Sequence, residues 1–259
     1  EAFDGVDLVF FCGPLADNRR ALDALPEGVA AVLLCPDASP ADAPPVVAGI
    51  NLARTAGERR VLSPHPGAVM AALLLHPLVD LGLEDAVVTL IQPASMHDQA
   101  GIDELFDQTR RILAFADPPD NEIFRRQLAF NLLPARRPVA HLAPVVASLL
   151  GGTARVAVEA LQGGFFHGTA ASVYLRFTTD PGAEAIREAL ADAPHLAAAD
   201  EEELLGPIDS AARDEVLVGE VRSGDAASGG YWLWGVMDNL TRGGAVNALA
   251  VARELLGRD

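Results

Sequence analysis

The stretch Arg60-Val61-Leu62-Ser63-Pro64-His65-Pro66-Gly67 carries the signals of a strand, a turn and a helix start in direct succession. Its first three residues form a short apolar run, and the strongly apolar segment from Ala68 to Val79 follows it. Proline is well tolerated at the first position of a helix, because its missing N–H has no intrahelical partner there. Enzymes use this geometry to present a nucleophile at a helix N-terminus. Proline cannot attack a substrate, so the turn resembles a catalytic elbow without its reactive residue.

The residues before this turn predict part of a parallel sheet. Two continuous apolar runs, Val6–Cys12 and Val29–Cys35, flank a stretch of helical spacing at Leu15–Leu25. Strand, helix and strand joined by short connections predict a right-handed crossover between parallel strands. Val46–Asn51 and Arg60–Leu62 predict two further, weaker strands.

The residues after the turn predict a second layer of a different kind. Apolar runs that read as strands occur at Ala86–Pro93, Val156–Leu161, Ala170–Phe177, Glu215–Val221 and Tyr231–Val236. A long closing helix is predicted at residues 240–256, with Asp238 or Asn239 as its cap. The expected fold class is therefore α/β, with a partial Rossmann-type parallel sheet and an α+β domain whose sheet is mostly antiparallel.

The composition excludes several classes of partner. The 259 residues include 36 acidic and 19 basic side chains, all of the latter arginine, which gives a net charge of −17. Nucleic acids and anionic membranes require a basic surface, so we expect neither as a partner. No apolar run reaches the roughly 18 residues of a membrane span, and we see no signal peptide. Two cysteines far apart in sequence form no disulfide framework, so we expect a cytoplasmic protein.

A family resemblance rests on segments spread along the chain. They are FDGVDLVFFCG (Phe3–Gly13), AGIDELFDQTRRIL (Ala100–Leu113), QLAFNLLP (Gln127–Pro134), GTAASVYLRF (Gly168–Phe177) and DNLTRGGAVNALAVARELL (Asp238–Leu256). In order, spacing and content they resemble aspartate-semialdehyde dehydrogenase, and the last segment is the most specific. The resemblance implies a partial NAD(P)-binding domain of residues 1–63 and 239–259, and a dimerisation and catalytic-type domain of residues 64–238.

The resemblance also implies a chemistry and an assembly. In that family a cysteine thiolate at a helix N-terminus attacks the aldehyde, hydride passes to NADP, and phosphate releases an acyl phosphate. The thiolate needs a lowered pKa, a histidine handles the proton, and an arginine holds the substrate carboxylate. The sheet of the second domain forms the family's homodimer interface, which makes the strands Ala170–Phe177 and Tyr231–Val236 candidates for that surface here.

The family's catalytic positions carry different residues in this chain. The family's Asn-Pro-x-Cys turn aligns with residues 63–66, which places Pro66 at the nucleophile. The family's Arg-Val-Pro-Val-x-x-Gly-His strand aligns with residues 162–169, which places Gln162 at the arginine and Thr169 at the histidine. His65 and His167 are possible substitutes, and period-two alternation would point His167 the same way as Thr169.

Two kinds of ligand site follow from these assignments. A metal site built from His65, His97 and His167 is conceivable, but these histidines show no ligand spacing, so we predict no metal site. No G-x-G-x-x-G sequence occurs in these residues, and the family's glycine-rich loop should lie upstream of Glu1. NADP is expected as a cofactor only if that loop exists. The resemblance makes Gly13 and Asn239 the candidate cofactor-binding residues.

Three functions are compatible with the sequence. The first is a non-catalytic protein of this family that acts through assembly or regulation, as a homodimer or together with an active paralogue. The second is an active NADP-dependent semialdehyde dehydrogenase with unorthodox residues, and the third is a sensor of a small molecule or nucleotide. We favour the first, because function must be argued from the site and the family's Cys, Arg and His are replaced by Pro66, Gln162 and Thr169.

Overall fold

Three parallel strands form the first sheet of the computed structural model, which describes residues 3–117, 121–135, 139, 141–200, 204–224 and 229–257. The strands β1 (Leu8–Cys12), β2 (Ala30–Leu34) and β3 (Arg60–Leu62) lie in this order. Helix α1 (Leu15–Asp23) connects the first two and buries Leu15 and Leu22. The apolar runs therefore form the predicted parallel sheet, in which β2 is largely buried while Phe10 and Cys12 of β1 are exposed.

The predicted strand Val46–Asn51 is wrong. Only a single bridge between Pro45 and Leu62 joins this segment to the sheet. The side chain of Asn51 turns the chain instead: its Oδ1 accepts from the Val47 amide at 2.9 Å and its Nδ2 donates to the Pro45 carbonyl at 3.0 Å. An asparagine side chain that bonds nearby backbone groups competes with a strand ladder, and here it replaces one.

The second sheet has seven strands in the order β5-β6-β4-β7-β10-β9-β8. Parallel pairing occurs only between β4 and β6 and between β8 and β9, so the expectation of a mostly antiparallel sheet is confirmed. The strands are β4 (Leu83–Gln92), β5 (Leu132–Pro134), β6 (Arg155–Gly163), β7 (Thr169–Phe177), β8 (Leu196–Ala198), β9 (Val216–Ser223) and β10 (Tyr231–Met237).

Helix α2 (Pro66–Leu75) is buried along its whole length after its first residue. It is apolar on every side, which is the pattern of a helix surrounded by core. It packs against α4 (Leu142–Leu149) and against one face of the second sheet. The other helices of this part are α3 (Asp98–Leu113) and α5 (Ala183–Ala191). No helix among the described residues is long and apolar enough to cross a bilayer.

The opposite face of the second sheet carries an exposed cross-strand row. Ala157, Val87, Tyr174, Trp232 and Arg222 stand directly opposite one another on β6, β4, β7, β10 and β9. Val87 is 47% exposed and Trp232 is 37% exposed. The Tyr174 and Trp232 rings lie 5.0 Å apart, and the guanidinium carbon of Arg222 lies 5.7 Å from the Trp232 ring centre. We call these five residues the outer row.

The chain closes with a π-helical turn, Thr241–Val246, that continues into α6 (Asn247–Leu255). Asp238 caps this segment, since its Oδ1 accepts from the amides of Leu240 and Thr241 at 2.9 and 3.0 Å. The predicted closing helix is thus present, with Asp238 as its cap and a wider first turn. Apolar residues of α6 pack against β2 and β3, so the C-terminal helix covers the first sheet.

Asn247, at the start of α6, links this helix to the segments before and after β3. Its Oδ1 accepts from the Ala48 amide at 2.9 Å, and its Nδ2 donates to the Val46 carbonyl at 3.1 Å and to the Ser63 hydroxyl at 2.9 Å. The side chain is fully buried. All three of its partners lie about 200 residues earlier in the chain, at separations of 184 to 201 residues.

We predict that Asn247→Ala lowers the free energy of unfolding by about 2–3 kcal/mol, because it removes three hydrogen bonds and leaves buried backbone groups unpaired. Urea denaturation followed by circular dichroism measures this loss. Gln99→Ala is the matched control, since Gln99 makes an exposed amide contact with Asp103. Equal effects of the two substitutions would show that the Asn247 contacts do not stabilise the fold.

Candidate functional site

The N-terminus of α2 has no free backbone donors. Pro66 is its first residue and has no N–H. The Gly67 amide donates to Nδ1 of His65 at 3.0 Å, and the amides of Ala68 and Val69 both donate to the His65 carbonyl at 2.8 and 3.1 Å. A helix N-terminus binds anions through its unpaired N–H groups, and His65 already satisfies the groups that would do so here.

The backbone of the closing turn fills the space beside Pro66. A Cβ atom on Gly243 would lie 2.6 Å from the Cβ of Pro66 and 2.7 Å from the Cε of Met237, so only glycine fits there. Met237 in turn pairs with Thr169 across β10 and β7. Pro66 and Thr169 are therefore brought to the same end of the second sheet. Thr169 is 1% exposed and its hydroxyl has no hydrogen-bond partner.

Gln162 lies at the same end of the sheet, near the end of β6. Its side chain forms hydrogen bonds within the protein. Its Nε2 donates to the Gln92 carbonyl at 3.0 Å, so its Oε1 faces Nε2 of His97 at 3.2 Å. Since an amide oxygen only accepts, the proton of this contact lies on Nε2 of His97. The Phe124 ring packs edge-on against His97, with centroids 5.2 Å apart. The sequence singled out both residues but gave no reason to pair them.

Of the other candidate histidines, His65 caps α2 and His167 lies in a turn. The rings of His65 and His141 lie 6.3 Å apart at 84°, and His141 Nε2 is buried without a partner. His167 is exposed in the turn between β6 and β7. The alternation that would align His167 with Thr169 does not extend to it, because β7 begins only at Thr169. No group of three potential metal ligands occurs in the described part of the chain.

Asn239 is a buried connector between loops. Its Oδ1 accepts from the Gly168 amide at 3.0 Å, and its Nδ2 donates to the Ser95 hydroxyl at 3.1 Å and contacts the Met96 sulfur at 3.6 Å. The residue is 2% exposed. The side-chain amide of Asn239 thus joins the loop after β4, the β6–β7 turn and the end of β10. Its hydrogen bonds are made to other residues of the protein.

Gly13 lies in the turn between β1 and α1, at a φ of +82° that favours glycine. The helix end beside it does not fit a phosphate, because the Asp37 carboxylate already accepts from the Leu15 amide at 2.8 Å. The described residues therefore do not complete a dinucleotide site here. Burial, followed by the charge of Asp37, raises the pKa of the Cys35 thiol, so this buried cysteine is no substitute nucleophile. Cys12 is exposed at the end of β1.

Comparison with known proteins agrees with this arrangement of sheets and helices. The family model described as "Semialdehyde dehydrogenase, dimerisation domain" matches residues 75–242. The aspartate-semialdehyde dehydrogenase of Rickettsia conorii is 26% identical over 98% of this chain and 80% of its own length. A protein of Azotobacter vinelandii named "USG-1 protein homolog" is 32% identical over 99% of this chain and 81% of its own length.

Solved structures show the same fold. A probable aspartate-semialdehyde dehydrogenase from Pseudomonas aeruginosa superimposes with a TM-score of 0.87 at 28% identity, over 98% of this chain and 80% of that one. Aspartate semialdehyde dehydrogenase II from Vibrio cholerae gives a TM-score of 0.88 at 24% identity, over 98% and 81% of the two chains. The fold and the position of α2 thus define a protein built as a semialdehyde dehydrogenase. The chain belongs to the aspartate-semialdehyde dehydrogenase family.

Asp238 is the acidic group that holds the closing turn beside this site. Burial acts to raise its pKa, but hydrogen bonds from the backbone amides of Thr241, Ala212 and Leu240 outweigh that effect and hold the pKa below its usual value. A lowered pKa means that the ionised form stabilises the fold. That stabilisation is complete above the unfolded-state pKa of about 4 and is lost as the pH falls through the lower pKa of the folded state.

We predict that Asp238→Asn removes this acid dependence. At pH 6 the variant should be about 1–2 kcal/mol less stable than the wild type. The difference should shrink below about pH 4, where first the unfolded and then the folded wild-type chain takes up a proton at Asp238. Urea denaturation at a series of pH values measures it. Asp192→Asn serves as the control at an exposed carboxylate. A wild-type advantage that grows on acidification would contradict the assignment.

Proposed function

We propose that this protein is a non-catalytic member of its family that acts through assembly. The observation that carries the proposal is the N-terminus of α2. Pro66, which the family resemblance assigns to the nucleophile, is its first residue, and His65 satisfies the amides that follow. A covalent mechanism needs a nucleophile with a lowered pKa at this point. Proline has no group to ionise, and a histidine cap removes the donors that would stabilise a negative charge.

The two other replaced positions support the same proposal. A substrate carboxylate is held best by a bidentate guanidinium, whereas the Gln162 carboxamide is neutral and already bonded to Gln92 and His97. A proton must be accepted from the covalent adduct before hydride can leave, and the hydroxyl of Thr169 is no base near neutral pH. Each of the three replacements removes a separate requirement of the chemistry.

Assembly is proposed to use the outer row. The matched family model carries dimerisation in its description, and residues 75–242 include every strand of that row. Aromatic side chains are enriched at protein interfaces, and Tyr174 and Trp232 stand side by side in the row. A second copy of the chain is the proposed partner, and an active paralogue is the alternative one.

We propose that the chain divides into two units, a division that packing supports. One unit is residues 1–63 and 239–259, where α6 covers β2 and β3. Residues 64–238 form the other, around the core of α2, α4 and the second sheet. A small-molecule or nucleotide sensor is a second candidate function, favoured by the buried Thr169 hydroxyl, which has no partner in the protein and could bond to a ligand.

We expect no reduction of NADP by the purified full-length protein with aspartate semialdehyde and phosphate. Loss of the nucleophile in a covalent enzyme costs about 10⁴-fold or more in turnover, which sets the sensitivity that the assay needs. An active aspartate-semialdehyde dehydrogenase assayed in parallel is the positive control. Turnover that disappears in the Gln162→Ala or Thr169→Ala variant would overturn the proposal. Thermal stabilisation by NADP or an acyl phosphate without turnover would favour the sensor.

We predict that Trp232→Glu combined with Val87→Glu converts a dimer to a monomer, because two charges would be placed within the apolar part of the outer row. Light scattering coupled to size exclusion measures the mass, and circular dichroism checks that the fold is retained. Leu249→Glu, at a side chain 51% exposed on α6, is the matched control and should remain dimeric. A wild-type protein that runs as a clean monomer would rule out the homodimer, and its co-elution with an active paralogue would favour the mixed assembly.

A further inference from the structure

Arg242 is a buried cation that the proposed function does not use. It projects from the closing π-helical turn and is 1% exposed, and it is among the largest fully buried side chains. Its Nε has no hydrogen-bond partner. Among the described residues, no carboxylate forms an ion pair with its guanidinium. The side chains of Asp238, Asn239 and Asn247, by contrast, all form hydrogen bonds.

A guanidinium in this position requires a compensating negative charge. Burial acts to lower its pKa, yet arginine does not lose its proton in proteins, so the charge persists in the interior. Burying an unpaired charge costs several kcal/mol. Asp214 and Glu215 attract the group through space without bonding to it, and Asp214 is exposed to solvent. The described residues therefore offer long-range compensation to Arg242 but no direct acceptor.

His195 is partly buried, and the charge of Arg242 acts on it. It occupies the turn between α5 and β8 at a φ of +66°, which is uncommon for a residue other than glycine. Its ring packs onto Gly49, where a Cβ atom would lie 2.6 Å from the His195 Cδ2. Burial, and then the charge of Arg242, lower the pKa of His195, while Glu215 and Asp214 act in the opposite direction. The imidazole is accordingly neutral at neutral pH and can donate one N–H.

Three separate segments are linked by contacts in this region. The closing turn carries Arg242, the α5–β8 turn carries His195, and the loop around Gly49 lies against His195. Asn247 fixes that loop from the other side through Val46 and Ala48. Strained backbone held by surrounding contacts is typical of binding sites. The half-buried His195 and the exposed Gly49 place the cluster near the surface.

We propose that Arg242 binds a small oxyanion, a phosphate or a carboxylate, between the closing turn, the α5–β8 turn and the Gly49 loop. The planar guanidinium presents paired N–H groups that match two oxygens of such an anion, and the His195 imidazole adds one further donor. The site is independent of the proposed lack of catalysis, because it uses none of Pro66, Gln162 or Thr169. Binding at this site lets the protein respond to an anionic metabolite without catalysing a reaction.

Calorimetry and thermal unfolding with inorganic phosphate and with malonate, at constant ionic strength maintained by chloride, test the proposal and distinguish the two anion sources. The wild type should bind one of the two, and its Tm should rise by about 5 °C at a hundredfold excess over Kd. Arg242→Met should weaken binding at least 10-fold, while the ligand-free variant should be as stable as the wild type or more so, because an unpaired buried charge is removed. Arg213→Met, at an exposed arginine, is the matched control and should bind as the wild type does.

The results separate the anion site from a structural role. A wild type that binds neither probe, or equal binding by wild type and Arg242→Met, overturns the proposal. Should Arg242→Met fail to fold, the wild-type protein still decides the question through the NMR titration of His195. Bound anion raises the pKa of an adjacent imidazole, so a raised His195 pKa in saturating phosphate or malonate supports the site, and an unchanged value rejects it. Neither outcome depends on whether the protein turns over a semialdehyde.

Discussion

The buried carboxamide of Asn247 is the contact on which the arrangement of the molecule depends. It joins the final helix to the loop before β3 and to Ser63, the residue that begins the turn into α2. Because α6 is fixed by this contact, the π-helical turn before it is held with Gly243 against Pro66. Asp238 and Asn239 precede this turn, and Arg242 lies within it. Contacts between the closing segment and residues 46–66 thus fix the geometry at the N-terminus of α2.

Several polar groups of the candidate site bond to one another or to nearby backbone, whereas the Thr169 hydroxyl bonds to none of the described residues. His65 satisfies the helix amides, Gln162 bonds to Gln92 and His97, and Asn239 bonds to Gly168 and Ser95. An active site keeps donors and acceptors available for a substrate, and that availability is costly when the groups are buried. Here the same positions resemble the polar part of a protein core. At these positions most hydrogen-bonding groups are therefore satisfied within the protein.

The apolar pattern was a reliable guide to the buried strands, whereas side-chain amides were not. Continuous apolar runs such as those of β1 and β2 predict the strands of a parallel sheet. The segment Val46–Asn51 has the same apolar character, but Asn51 and Asn247 provide its backbone partners, and no local rule predicts a partner 200 residues away. The contact between His97 and Gln162 likewise joins residues 65 apart. The burial of Arg242 could not be predicted at all, since arginine is rarely found inside proteins.

The complete burial of α2 has a consequence for how the chain folds. This helix is apolar all round, so it gains no stability from lying on a single surface and is exposed to aggregation until it is covered. Its covers are α4, β4, β9 and the closing turn, the last of which is made from residues near the C-terminus. The chain therefore cannot cover α2 completely before the closing turn, Thr241–Val246, has been made. Closure between segments so far apart in sequence slows folding, and it leaves the apolar surface of α2 dependent on that turn.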